Sequence, residues 1–156
     1  FKIIAGFIKP SSGKVTVAGK IIGVDRDFPD SLGLIIETPG FLSQYNAYQN
    51  LLYLANINNK ISKEDVKESI RMVGLDSLGM KQRLGIAQAI MENPNLIILD
   101  EPMNGLDKKG IEDVKELLLK LKGDGKTILM ASHYAEDMEI CDEVFQMEDG
   151  KLGDMK

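Results

Sequence analysis

The sequence predicts an α/β fold: a mostly parallel sheet as its core, an inserted α-helical subdomain, and a small antiparallel β portion near the N-terminus. Three observations predict it. After Pro94, short and wholly apolar runs such as "LIIL" (residues 96–99) alternate with helix-like segments, as strands do when a sheet is covered on both faces. Residues 46–93 hold helical patterns and no convincing strand. Near the N-terminus, "KVTVAGK" alternates apolar and polar residues in the manner of a half-buried strand.

Taken in order, residues 1–5 read as the last turns of a helix, with Gly6 free to take the left-handed position after it. "KPSSGK" is a turn cluster, "KVTVAGK" a strand, and "SLGLIIET" a second strand running into the turn "PGF". Asn46 can cap "AYQNLLYLANI", and Ser62 with Asp65 loosely resembles a capping box before "VKESIRMV", closed by Gly74. "GMKQRLGIAQAIMEN" is a third helix stopped by Pro94. "LIIL" is then a strand, and Asp107 caps "KKGIEDVKELLLKLK" before Gly123. "KTILMAS" is a strand, "YAEDMEIC" a short helix, and "EVFQMEDGKL" a strand entering an Asp-Gly turn. No internal repeat or low-complexity segment interrupts this order.

The 156 residues suit one domain with a sizeable core. A net charge of −5 argues against a general nucleic-acid binder, which shows a basic face. The single cysteine, Cys141, excludes a disulfide within the chain and fits a reducing compartment. No apolar run approaches the ~18 residues that span a bilayer, and "FKIIAGFIKPSSGK" lacks the features of a signal peptide. The expectation is a cytoplasmic domain.

The chemistry concentrates where "LIIL" runs into Asp100 and Glu101. In open α/β sheets, ligands bind beyond the carboxyl ends of the strands, and two carboxylates at such an end can divide two tasks. One can hold Mg²⁺, a hard ion that takes few protein carboxylates plus substrate phosphates. The other can orient or activate water in phosphoryl transfer. The pair alone is equally well read as polar residues ending a strand.

Context shifts that balance. "LIILDEP", then "NGLD", then a strand ending "ASH", strongly resembles the nucleotide-binding domain of ABC transporters, a P-loop NTPase-type fold. The resemblance implies that Asp100 serves Mg²⁺, that Glu101 is the hydrolytic base, and that Asp107 of the D-loop lies at a dimer interface. It makes His133, the only histidine, a switch residue contacting the γ-phosphate. "SLGMKQRLGIAQAI" resembles the ABC signature, with Ser77 and Gly79 matching the serine and second glycine of Leu-Ser-Gly-Gly-Gln. In the family these bind ATP of the opposite subunit, next to a helix N-terminus suited to anions. Leu78 and Met80 replace glycine and glutamine, a departure associated with the bacitracin and lantibiotic-type export branch. "IIETPGF" falls at the Q-loop, where Glu37 replaces the glutamine linking the metal site to the transmembrane partner.

Two features depart from the family pattern. No stretch matches G-x-x-x-x-G-K-[ST], the phosphate loop, and "FKIIAGFIKPSSG" resembles the end of the helix that follows it. The sequence is therefore expected to begin just after its own Walker A motif. "VGLD" also abuts the signature at Asp76–Ser77, where a linker is expected. The implied function is an ATP-hydrolysing subunit, a homodimer or heterodimer with another nucleotide-binding domain. It would be peripheral on the inner face of the membrane, powering a transmembrane permease that exports peptide-like or antibiotic compounds. Two alternatives stand beside it: a catalytically deficient ABC-type module that only complements a partner's ATP site, and a non-transport ABC ATPase.

Overall fold

The computed structural model describes residues 1–37, 39–74 and 80–155. The first residues form a helical turn that ends as expected. Ala5 N–H donates to Phe1 O at 2.9 Å; Gly6 and Phe7 N–H then donate to Ile3 O (3.1 Å) and Lys2 O (2.9 Å). These last two are the paired bonds of a Schellman cap, with Gly6 left-handed at φ +88°.

The expected strand "KVTVAGK" is instead a hairpin. Strands β1 (Thr16–Val17) and β2 (Lys20–Ile21) pair antiparallel. Ala18 (φ +48°) and Gly19 (φ +79°) form the turn between them. Two successive left-handed residues match the twist of a hairpin. Alanine carries no turn signal, so the alternation on either side reads as one strand.

The core is a parallel sheet of β3 (Leu32–Ile35), β4 (Leu96–Asp100) and β5 (Thr127–Ala131) in the order β3-β4-β5. Between β3 and β4 run three helices, α1 (Ala47–Asn58), α2 (Lys63–Val73) and α3 (Met80–Ile90). Both anticipated caps are present. Asn46 and Gln49 exchange bonds at 2.9 and 3.0 Å, and Ser62 and Asp65 at 3.2 and 2.7 Å, and Gly74 closes α2 at φ +59°. α4 (Lys108–Gly123) begins at its cap Asp107 but runs through Gly123; Gly125, at φ +81°, takes the left-handed position instead. A 3₁₀ helix at Ala135–Ile140 follows β5, and β6 (Phe145–Glu148) and β7 (Lys151–Met155) form a hairpin around Asp149–Gly150.

Strand β4 distributes the burial. Ile97 and Leu99 join the helices in one cluster that includes Leu51, Val66, Ile86 and Val114. Leu96 and Ile98, on the other face, pack with Ala5 and the partly buried Phe1, Ile4 and Val17. Ile97, Ile98 and Leu99 are at most 1% exposed, and each contributes on the order of 1.5–3 kcal/mol of hydrophobic stabilisation. On β5, by contrast, Ile128, Leu129 and Met130 are only half-buried, and among the described residues no strand pairs with its outer edge.

Helix α3 reaches β3 at a point without a side chain. A Cβ on Gly33 would lie 2.0 Å from the Ala89 carbonyl oxygen and 2.8 Å from the Pro94 ring. Gly33→Ala therefore requires the helix to lift off the strand. It is expected to cost about 1–3 kcal/mol, read as a lower denaturant midpoint with an unchanged slope.

Candidate functional site

Parallel registration brings the candidate residues to one end of the sheet. Ile35 pairs with Leu99, and Asp100 with Ala131, so the next residues leave the three strands side by side. These are Glu37 after β3, Glu101 after β4, and Ser132 and His133 after β5. This is the carboxyl end, where α/β sheets bind ligands.

Asp100 ends β4 half-buried, in alternation with Ile98 and hence on the face covered by the N-terminal turn. Lys2 of that turn feels its negative charge. Lys2 Nζ itself lies 2.8 Å from Glu37 Oε1. The hydrogen bond and charge of Lys2 hold the Glu37 carboxyl below its usual range, and Glu37 in turn raises the Lys2 ammonium above its own. Carboxylate oxygens are the donors Mg²⁺ prefers, and here an ammonium occupies the place of a cation beside Glu37. Among the described residues, no three His, Cys, Asp or Glu side chains gather as a metal cluster. Any Mg²⁺ would therefore rest on one or two carboxylates and on substrate phosphates, as that ion commonly does.

Glu101 does not continue the strand. Its backbone turns left-handed, φ +50°, a conformation that costs a non-glycine residue about 1–3 kcal/mol. Three hydrogen bonds hold it there: its N–H to Ala131 O (3.0 Å), and its carbonyl accepting from Asn104 N–H (3.1 Å) and Gln82 Nε2 (3.1 Å). Its side chain lies 3.0 Å, Oε1 to Nε2, from His133. Glu101 is largely enclosed, with its side chain 21% exposed, whereas the His133 side chain is 89% exposed.

Asp107 accepts the N–H of Gly110 at 2.9 Å and so caps α4. Ser77 and Gly79, and the Asp76–Ser77 junction, lie outside the described residues. The structure also brings in side chains that no sequence pattern singled out. Gln82 braces the backbone of Glu101. Asn50, 6% exposed, accepts Leu42 N–H and donates to the carbonyls of Leu42, Tyr45 and Asn46, folding the segment after Glu37 onto α1. Ser132, Asp137 and Lys115 form a connected group beside His133. An asparagine inside a helix or a lysine on one carries no signal of such a role in a single sequence.

The family model for ABC transporters matches residues 1–104, two thirds of the chain and the whole of α1–α3, β4 and the Asp100–Glu101 pair. The chain belongs to the ABC transporter family. Among curated relatives, the uncharacterized ABC transporter ATP-binding protein YybJ of Bacillus subtilis is 43% identical over 162 residues, covering 97% of this chain and 74% of YybJ. The bacitracin transport ATP-binding protein BcrA of Enterococcus faecalis is 46% identical over 78% of this chain and 43% of its own length. Several other relatives are matched over about half of theirs. The 162 aligned positions exceed the 156 residues present, so YybJ carries residues without a counterpart here.

Solved structures agree in fold. The dimeric ABC transporter cassette MJ0796 superposes with a TM-score of 0.86 at 22% identity, covering 99% of this chain and 77% of that one. The cbiO1 protein of Clostridium perfringens, part of the cbiONQ transporter complex, gives 0.82 at 28% identity, covering 99% and 69%. In this ABC chain, the ion pair of Lys2 and Glu37 makes a testable case of the site's electrostatics. Removing the ammonium with Lys2→Met should let the Glu37 carboxyl rise toward its ordinary range. A depressed carboxyl stabilises above its unfolded pKa, and that contribution is lost as pH falls through the folded value. Wild type should thus keep Glu37 ionised to lower pH than the variant, as read by carboxyl ¹³C NMR titration.

Proposed function

We propose that this chain is the ATP-binding and ATP-hydrolysing part of an ABC transporter, and that the transporter exports peptide-like or antibiotic compounds through a transmembrane permease. The observation that carries the reading is the convergence of Glu101 and His133, 3.0 Å apart, at the carboxyl end of the sheet. Membership of the ABC transporter family supports a subunit of an ATP-driven transporter. The export of antibiotic-like compounds rests on the likeness to the bacitracin transport proteins.

Hydrolysis needs a base that can take a proton from the attacking water, held in one orientation. Two observations support Glu101 as that base: its backbone is braced at three points, and its carboxylate lies 3.0 Å from the imidazole. His133, exposed beside it, can present a hydrogen to developing phosphate charge. Asp100 and Glu37 would hold Mg²⁺, which when bound neutralises phosphate oxygens. Ser77 and Gly79 would meet ATP held by the opposite subunit, and Asp107 would lie at that dimer interface, in a homodimer or a heterodimer. Residues 1–156 would then form one nucleotide-binding domain whose helical portion, 46–93, couples to the permease at the cytoplasmic face. No helix of the described residues is long and apolar enough to cross a membrane.

Glu101→Gln keeps size and shape but removes the base. ATP binding by the intact transporter subunit should persist while steady-state hydrolysis falls about 10²–10⁴-fold, the usual worth of a general base. Hydrolysis equal to wild type would remove Glu101 from its role. His133→Ala should also lower turnover strongly, and an unchanged rate would exclude it.

A further inference from the structure

The His133 ring is almost wholly exposed, so packing cannot fix its direction, yet it meets Glu101 at hydrogen-bond distance. What lies on either side of it is held more firmly. Ser132 Oγ donates to Asp137 Oδ2 at 2.6 Å and accepts the N–H of Tyr134 at 3.1 Å. One hydroxyl therefore spans His133 and ties the residue before it to the residue after. Asp137 is 3% exposed. Its other oxygen, Oδ1, lies 3.2 Å from Lys115 Nζ, which also donates to Glu136 O at 2.7 Å. Lys115 projects from α4 one residue beyond the fully packed Val114.

We propose that Asp137, anchored by Lys115 and acting through Ser132, is a positioning residue that holds His133 in register with Glu101. The proposal rests on the reading of Glu101 and His133 as parts of the hydrolytic site only for its catalytic meaning; the chain of contacts stands on its own. A buried carboxylate is costly unless charged and polar partners satisfy it. Here both oxygens are engaged, one by a helix-borne ammonium and one by the hydroxyl that brackets the histidine. The loop after β5 is thereby referred to α4, the helix capped by Asp107, rather than left to follow solvent. Ser132 gives its hydrogen to Asp137 and its lone pair to Tyr134, so the two bonds orient each other. Losing the carboxylate frees the hydroxyl to turn, and the grip on Tyr134 loosens with it.

His133 is the only histidine in the sequence, so its ring gives a single set of imidazole NMR signals. In the wild-type chain, its ring protons should show nuclear Overhauser effects to the Glu101 methylenes and restricted ring ¹³C relaxation. Ser132→Ala and Asp137→Asn should abolish those cross-peaks and bring ring relaxation close to that of a free surface side chain. Ser132→Thr, which keeps the hydroxyl, should retain both. Should Asp137→Asn fail to fold, Ser132→Ala decides, because it leaves the Asp137–Lys115 pair in place. Unchanged cross-peaks and relaxation in a folded Ser132→Ala variant would overturn the proposal. Should the ring respond as expected while His133→Ala leaves ATP turnover of the intact subunit untouched, the positioning holds and the hydrolytic reading alone falls.

Discussion

Strand β4 is hydrogen-bonded on both edges and covered on both faces, and Glu37, Asp100, Glu101 and His133 take their places from that constraint. A central parallel strand has no free side on which to slip. Its pairings with Ile35 and Ala131 fix how far along β3 and β5 the chain has run when β4 ends. A shift of one residue in either pairing would turn Leu99 or Ile98 to the wrong face. The burial of Ile97, Ile98 and Leu99 opposes that shift. Hydrophobic packing along β4 thus sets where the segments bearing Glu37, Glu101 and His133 leave the sheet, and polar contacts then hold their side chains.

At the end of this strand the backbone reverses its hand. If Glu101 had stayed extended, its side chain would have continued the alternation of β4 toward the helical face. The left-handed turn instead lets the Ala131 carbonyl take its N–H while Gln82 takes its C=O. The strain is local, and the hydrogen bonds that offset it come from β5 and α3, elements far apart in sequence. Gln82 lies three residues beyond Gly79, so a brace on the backbone of Glu101 starts in the first turn of α3. Lys2 does comparable work on the other face, standing between the charges of Glu37 and Asp100.

Much of this architecture is legible in the sequence because it is encoded locally. The caps Asn46, Ser62 and Asp107 act within three residues, and the apolar run of β4 declares its own burial. The joining of Glu101 to His133 is legible only through the ordered set of family motifs, since nothing local to "LDEP" specifies a partner 32 residues on. The hairpin at Ala18–Gly19 escapes because alternation is the same in one strand as in two. The helix through Gly123 escapes because a glycine at a helix end is tolerated wherever the next turn supplies the left-handed residue, here Gly125. Gln82, Asn50 and the Lys115–Asp137–Ser132 group are long-range or buried polar contacts, which no periodicity announces. In these cases tertiary neighbours, not residue type, decide the role.

The outer edge of β5 bears on how the domain must be handled. Among the described residues, no strand pairs with its outer amides and carbonyls, which run beside half-covered Ile128, Leu129 and Met130. No charge stands between Thr127 and Ala131, so shortness is what blunts this edge against pairing with a second chain. Such pairing is bimolecular, so any tendency toward it grows with protein concentration.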